Sequence, residues 1–158
     1  MPLDLDVVRD TLPTAVPMVG TLGLTFDELT YERAVMVLPS TPLYHNHIGG
    51  PHAGAMFTLA ESASGALIFA NFGDIPDVVT PLAVEATIRY LKVAMGPVTA
   101  VATLHTSRDE IMELVAQGQR PEFTIAIELS TGQGEDRVVT GAMTVLWTLK
   151  LVRRAEPS

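Results

Sequence analysis

Apolar positions change period several times along the chain. Leu3 to Leu12 has helical spacing: Asp4 is placed to cap, Val7, Val8 and Leu12 share a face, and Pro13 is expected to stop the helix. Residues 1–20 are read as a covering helix and a lead-in. From Leu22 to Pro39 β-formers alternate or cluster, first Leu22, Leu24 and Phe26, then Tyr31, Val35 and Val37, about a polar joint at Asp27 and Glu28. That pattern predicts a first strand pair. Ser40 to Pro51, with its prolines, Gly49, Gly50, His45, Asn46 and His47, has loop chemistry.

Residues 52–72 lack proline and any β-branched run and are rich in Ala, Leu, Met and Phe, which predicts a central helix closed by Gly73. Its apolar residues go almost all the way round, so it must be wrapped by other elements. Small residues at 53, 54, 55, 60, 63, 65 and 66 are expected to let strands approach its backbone. After Pro81 alternation returns, with Leu82, Val84, Ala86, Ile88 and Tyr90 on one face and Glu85, Thr87 and Arg89 on the other. Gly96-Pro97 turns the chain into a strand through Val98, Ala100, Ala102 and Leu104. Ser107-Arg108-Asp109-Glu110 then fits a capping box opening a short helix over 107–118. Phe123 to Leu129 and Val139 to Leu151 complete the strands, joined by short turns and therefore antiparallel. The fold class is α+β: an antiparallel sheet of about five or six strands wrapped around one helix, as a single domain over 1–158.

Composition sharpens this picture. At 158 residues and 47% apolar, the chain suits one core. Ten Lys plus Arg against eighteen Asp plus Glu give a formal charge of −8, which repels nucleic-acid phosphates and anionic lipid, so neither is expected as a partner. The absence of cysteine excludes disulfides, thiolate metal sites and a cysteine nucleophile. MPLDLDVVRD shows no basic segment leading into an apolar run, and no stretch reads as a lone membrane span, so a cytoplasmic protein without a leader is the default expectation.

Between Ala34 and Gly73 the one formal charge is Glu61, set in the middle of the apolar helix. A carboxylate there either lies on a solvated stripe with Thr58, Ser62 and Ser64, or is desolvated, with a raised pKa suited to a general base or nucleophile. At the start of the same helix, Ala53 and Gly54 should present free N–H groups aligned with the helix dipole, donors suited to a developing oxyanion. Ala53 and Glu61 are eight residues apart, roughly 12 Å along the axis, so one helix cannot bring both to a single carbonyl. If the two cooperate, a second copy supplies one of them, which predicts a homodimer or a dimer of dimers.

These residues carry a resemblance. Asn46-x-x-Gly49-x-x-His52-Ala53-Gly54, followed by Glu61, resembles the central-helix pattern of hotdog-fold acyl-CoA thioesterases, which reads Asn-x-x-Gly-x-x-His-Gly-Gly and then Asp or Glu. The variant here is most similar to the phenylacetate-pathway type or a little-characterised related branch, and the strand order resembles that fold over nearly the whole chain. The resemblance implies hydrolysis of an acyl thioester, without a cofactor. It makes Glu61 the base or nucleophile, Ala53 the oxyanion donor through its N–H, Asn46 a positioning residue from the opposite protomer, and His52 the residue that orders the loop. It places His47, Gly54, Thr80, Ala83 and Arg89 at the substrate: some relatives carry Ser or Thr where Ala83 stands, and Thr80 is the stand-in. A polyanionic carrier such as CoA would need a basic patch drawn from Arg89, Lys92, Arg108, Arg120, Arg153 or Arg154.

Other readings use the same residues. His45, His47 and His52 with Glu61 offer metal-ligand chemistry, against the commoner use of loop histidines to bond backbone, and no metal is expected. His45-Asn46-His47 resembles a nuclease signature, which the charge balance opposes. His47 and Glu61, fourteen apart, resemble the His and Glu pair of hotdog dehydratases, where elimination from a 3-hydroxyacyl thioester replaces hydrolysis. A third reading is an acyl-thioester-binding protein without turnover. Met36, Met56 and Met143 are read as core.

Overall fold

A computed structural model describes residues 1–152; Arg153 and Arg154 lie outside them. Asp4 caps the first helix through Oδ1, which accepts the Asp6 and Val7 N–H groups, and α1 runs Leu5–Ala15. Pro13 lies inside this helix and does not stop it. Proline forfeits a single intrahelical bond there, and only two helical residues follow it. Val8 and Leu12 are buried, whereas Val7 is exposed. A second helix, α2 (Pro17–Thr21), follows with its proline at N1. Its Gly20 lies against the Pro13 carbonyl, where a Cβ would sit at 2.9 Å.

Leu22, expected to open a strand, instead ends α2, because Gly23 at φ +62° turns the chain before extension begins. β1 is Thr25–Leu29 and β2 is Arg33–Leu38, with Tyr31 in the turn between them. After α3 (Ala53–Phe72) come β3 (Val79–Tyr90), β4 (Val98–Leu104), α4 (Arg108–Ala116), β5 (Glu122–Thr131) and β6 (Val138–Leu151). The Ser107–Glu110 capping box forms as the spacing predicts. All strand pairs are antiparallel, in the order β1-β2-β4-β5-β6-β3. This six-stranded sheet with one long helix packed across it is the hotdog arrangement.

α3 is long and apolar enough, by length and composition, to cross a membrane. Here the sheet takes that role: twelve of its twenty residues are buried, and it packs across β2, β4 and β5. Ala60, Ala63, Ala66 and Ala70 are fully buried, so the strands approach over this alanine face. The other small residues behave differently: Ala53 and Gly54 are exposed, and Gly65 faces open space. Met36, Met56 and Met143 belong to the core.

The face expected for β3 is wrong over part of its length. A bulge between Ala83 and Glu85 shifts the register by one residue. Pro81 and Ala83 pair with Leu149 and Trp147, and beyond the bulge Ala86 and Ile88 pair with Val145 and Met143. Leu82 and Val84 therefore leave the core and are exposed, as is Tyr90. The sequence alternation hides this, because one inserted residue swaps the faces without breaking the period on either side.

Candidate active site

The loop leading into α3 is organised by Asn46. Its Oδ1 accepts the N–H groups of Ile48 (3.0 Å) and Gly50 (3.1 Å), and its Nδ2 donates to the Pro51 carbonyl (3.4 Å). The next residues close around that hub. Gly49 takes φ +78°, and a Cβ on Gly50 would meet the Ala94 carbonyl oxygen at 2.5 Å. Thus each of Asn46, Gly49 and Gly50 has a geometric reason to be what it is. Asn46 also faces a cleft of about 400 Å³ shared with Ala53, Met56, Tyr90, Lys92 and Val93.

His52 is the N-cap of α3, and its Nδ1 accepts the Gly54 N–H at 2.9 Å, which leaves the ring proton on Nε2. This bond takes the Gly54 N–H, so Gly54 is not the free donor that the sequence predicts. The Ala53 N–H has no acceptor among the described residues, and Ala53 is exposed at the mouth of the cleft. The Tyr90 hydroxyl donates to the Ala53 carbonyl at 2.9 Å, fastening the end of β3 to the first residue of the helix. Burial pushes the Tyr90 phenol pKa up, so it stays a donor. In the sequence Tyr90 reads only as an apolar position, although an aromatic ring with a polar handle at a strand end is the signal for such a bond.

Glu61 sits two turns further along α3, half-buried in a second cleft. No hydrogen bond or ion pair reaches its carboxylate among the described residues, and burial raises its pKa. A solvated stripe with its neighbours does not exist, since Ser62 and Ser64 are both buried. Ser64 donates to the Glu61 carbonyl at 2.7 Å and accepts the Trp147 indole N–H at 3.1 Å, which sets the tryptophan as a wall beside the acid. Leu12, Val16, Val19, Ile68 and Phe69 also line this cleft. Glu61 is the one ionisable residue among its lining residues.

Within one chain, then, the acid and the helix tip face different clefts. The remaining sequence candidates distribute as follows. His47 is exposed and lines neither cleft. Thr80 lies in an outer groove with Leu82 and Lys150, so it does not stand in near Glu61. Ala83 shares the face of its partner Trp147, and Arg89 is exposed away from both clefts. Of the basic residues, Lys92 lines the Ala53 cleft, Arg108 is held in a two-pronged pair with Asp74 (2.9 Å for each bond), and Arg120 bonds Thr148. The histidines are dispersed: His45 lies against Ser40, and His52 caps its helix. Among the described residues no three His, Asp or Glu side chains lie close enough to hold a metal ion.

Comparison with known proteins agrees with this architecture. A probable thioesterase of unknown function from Pseudomonas aeruginosa superposes with TM-score 0.81 at 28% identity, over 96% of this chain and 98% of that one. A thioesterase family protein from Silicibacter pomeroyi gives 0.74 at 17% identity, over 94% and 99%. A thioesterase variant from Pseudomonas aeruginosa gives 0.71 at 20% identity, over 96% of each chain. A search of curated proteins found no match. A family model described as a domain of unknown function, DUF4442, matches residues 7–148, and with its six-stranded sheet and wrapped central helix the chain belongs to that family as a hotdog-fold protein.

Proposed function

We propose that this protein hydrolyses an acyl thioester, as a homodimer in which Glu61 of one copy meets the Ala53 N–H of the other. The observation that carries the reading is Glu61: the one ionisable residue lining a largely apolar cleft, its carboxylate without a partner among the described residues. Desolvation raises its pKa, and a carboxylate with a raised pKa is a stronger base. Water attacks the thioester carbonyl carbon while Glu61 takes its proton. The oxyanion that forms is stabilised by the Ala53 N–H at the positive end of the helix dipole. The carbon–sulfur bond then breaks, and the proton held by Glu61 goes to the departing thiolate. Thioesters lack much of the resonance that protects esters and amides, so this machinery suffices.

A second copy also answers a problem of the surface. β3 is an edge strand, paired only with β6, and Val84, Leu91, Val93 and Met95 are exposed on it and on the segment that follows. A long edge with apolar side chains invites pairing with another chain. Lys92, beside Ala53, offers the cation that a CoA carrier would use, and the kinship with a probable thioesterase at 28% identity points to the same chemistry. The test is release of free thiol from a panel of acyl-CoA substrates by wild type and by Glu61→Ala. A loss of about 10²–10⁴-fold in the folded variant is the expected result. Undiminished turnover removes Glu61 from the mechanism, and tight binding without turnover by wild type assigns a binding protein instead.

A further inference from the structure

Glycine in the middle of a helix is destabilising relative to alanine, and α3 carries one at Gly65. At Gly49 and Gly50 glycine is enforced, by a positive φ at the first and by backbone contact at the second. Neither reason applies to Gly65. Its φ is not positive, and a Cβ built there meets nothing within 4 Å. What it supplies is room, one helical turn beyond Glu61, in the floor of the same cleft.

The shape of that room is readable. Glu61, Gly65, Phe69 and Gly73 follow one another at every fourth position along the floor, roofed by Leu12, Val16 and Val19 of the α1–α2 pair. From Glu61 to Phe69 the helix rises roughly 12 Å. At Gly73 the track ends, because Leu3 Cδ1 stands 2.6 Å from where a Cβ would be. Apart from Glu61 and the Ser62 hydroxyl the cleft, of about 260 Å³, is lined by apolar groups, so its occupant beyond the acid is apolar. An extended chain advances about 1.25 Å per carbon given its C–C bond length, so roughly eight to ten carbons fill the track.

We infer that Gly65 and the α1–α2 roof form a gauge for a straight, medium-length aliphatic acyl chain, with Leu3 as its end stop. The inference rests on the reading of Glu61 as the group that meets the acyl carbonyl. The occupant class is therefore an unbranched acyl group of about eight to ten carbons.

Occupancy is measurable without turnover, because Trp147 is the chain's one tryptophan and lines the cleft. Primary alcohols are the probes, since they present no charge to Glu61. In a titration of the full chain from butanol to dodecanol, with 2-phenylethanol alongside, affinity read from Trp147 emission should rise about fourfold per carbon and level off near ten. Gly65→Leu should weaken octanol at least tenfold while leaving butanol nearly unchanged, with circular dichroism confirming the fold. Leu3→Ala, which opens the far end, should move the plateau to longer chains. The inference is overturned if 2-phenylethanol matches octanol, if folded Gly65→Leu keeps the wild-type length profile, or if no alcohol perturbs Trp147. Length-dependent binding with no hydrolysis of octanoyl-CoA leaves the gauge standing and removes the hydrolase reading. Hydrolysis that ignores chain length does the reverse.

Discussion

Ala53→Pro separates the chemistry at the helix tip from the fold that carries it. Ala53 is the first residue of α3, the position where proline is favoured, since the missing N–H has no intrahelical partner there. The residue before a proline must be extended, and His52 already is, at φ −63° and ψ 139°. The Ala53 N–H donates to no described residue, so no protein hydrogen bond is lost. The Ala53 carbonyl that receives the Tyr90 hydroxyl is unchanged. Stability should therefore hold, or rise by about 0.4–1 kcal/mol through restriction of the unfolded chain. Turnover is another matter: losing one oxyanion donor costs about 10²–10³-fold in kcat, or roughly 2.7–4 kcal/mol.

The same variant tests the two-copy site. When Glu61→Ala and Ala53→Pro chains are mixed in equal amounts and allowed to exchange, half of the dimers are mixed, and each mixed dimer has one site with both groups intact. Activity should return to about a quarter of wild type, although neither parent is active. The assay is thiol release from octanoyl-CoA before and after subunit exchange, with sedimentation to confirm the dimer. Ala53→Pro with full activity refutes the oxyanion role. Two dead parents that never complement after proven exchange refute the division of the site between copies.

Three further outcomes follow from the same geometry. Because burial raises the Glu61 pKa, the folded state holds that proton to higher pH than the unfolded chain, so this contribution to stability is complete below the ordinary carboxylate range and disappears as pH rises through the folded value. Glu61→Gln should then match wild type in melting temperature at low pH and exceed it near neutrality; an equal gap at every pH counts against desolvation. Ser64→Ala strands the buried Trp147 indole N–H and should cost about 1–3 kcal/mol, read as a lower midpoint in urea unfolding, with an unchanged midpoint as the contrary result. Gly65→Ala should add about 1 kcal/mol, or roughly 2–4 °C in melting temperature, and a fall would show that the floor of the cleft is already in contact.

Much of the fold was legible because its signals are local. The Asp4 cap, the Ser107–Glu110 box and the β5 and β6 alternation depend on neighbours a few residues away, and each forms where its pattern lies. The errors arise where one residue changes a frame or a distant element decides. The β3 bulge swaps faces midway, so Leu82 and Val84 pass from expected core to exposed edge. Pro13 stays helical because it falls where little helix remains to be lost. Glu61 stood out by isolation of charge, a property of the sequence itself. Tyr90 did not, since its bond to Ala53 spans thirty-seven positions and no local pattern encodes it.

The motif around α3 also divides by purpose once the bonds are known. Asn46, Gly49, Gly50 and His52 shape the loop: one gathers its N–H groups, two permit its turns, and the last caps the helix. These are structural roles, independent of whether a substrate is turned over. The His52 bond to Gly54 nevertheless has a chemical effect, because it consumes the neighbouring donor while the Ala53 N–H, in a residue that lines the cleft, keeps no acceptor among the described residues. Specific chemistry therefore narrows to two groups, an N–H without an acceptor and a carboxylate without a partner. Ala53 opens α3 and Glu61 lies two turns in, in a different cleft, so the proposed mechanism needs a second copy to bring them to one carbonyl. A substitution at either group, tested alone and then in mixture, therefore bears on the whole of that mechanism.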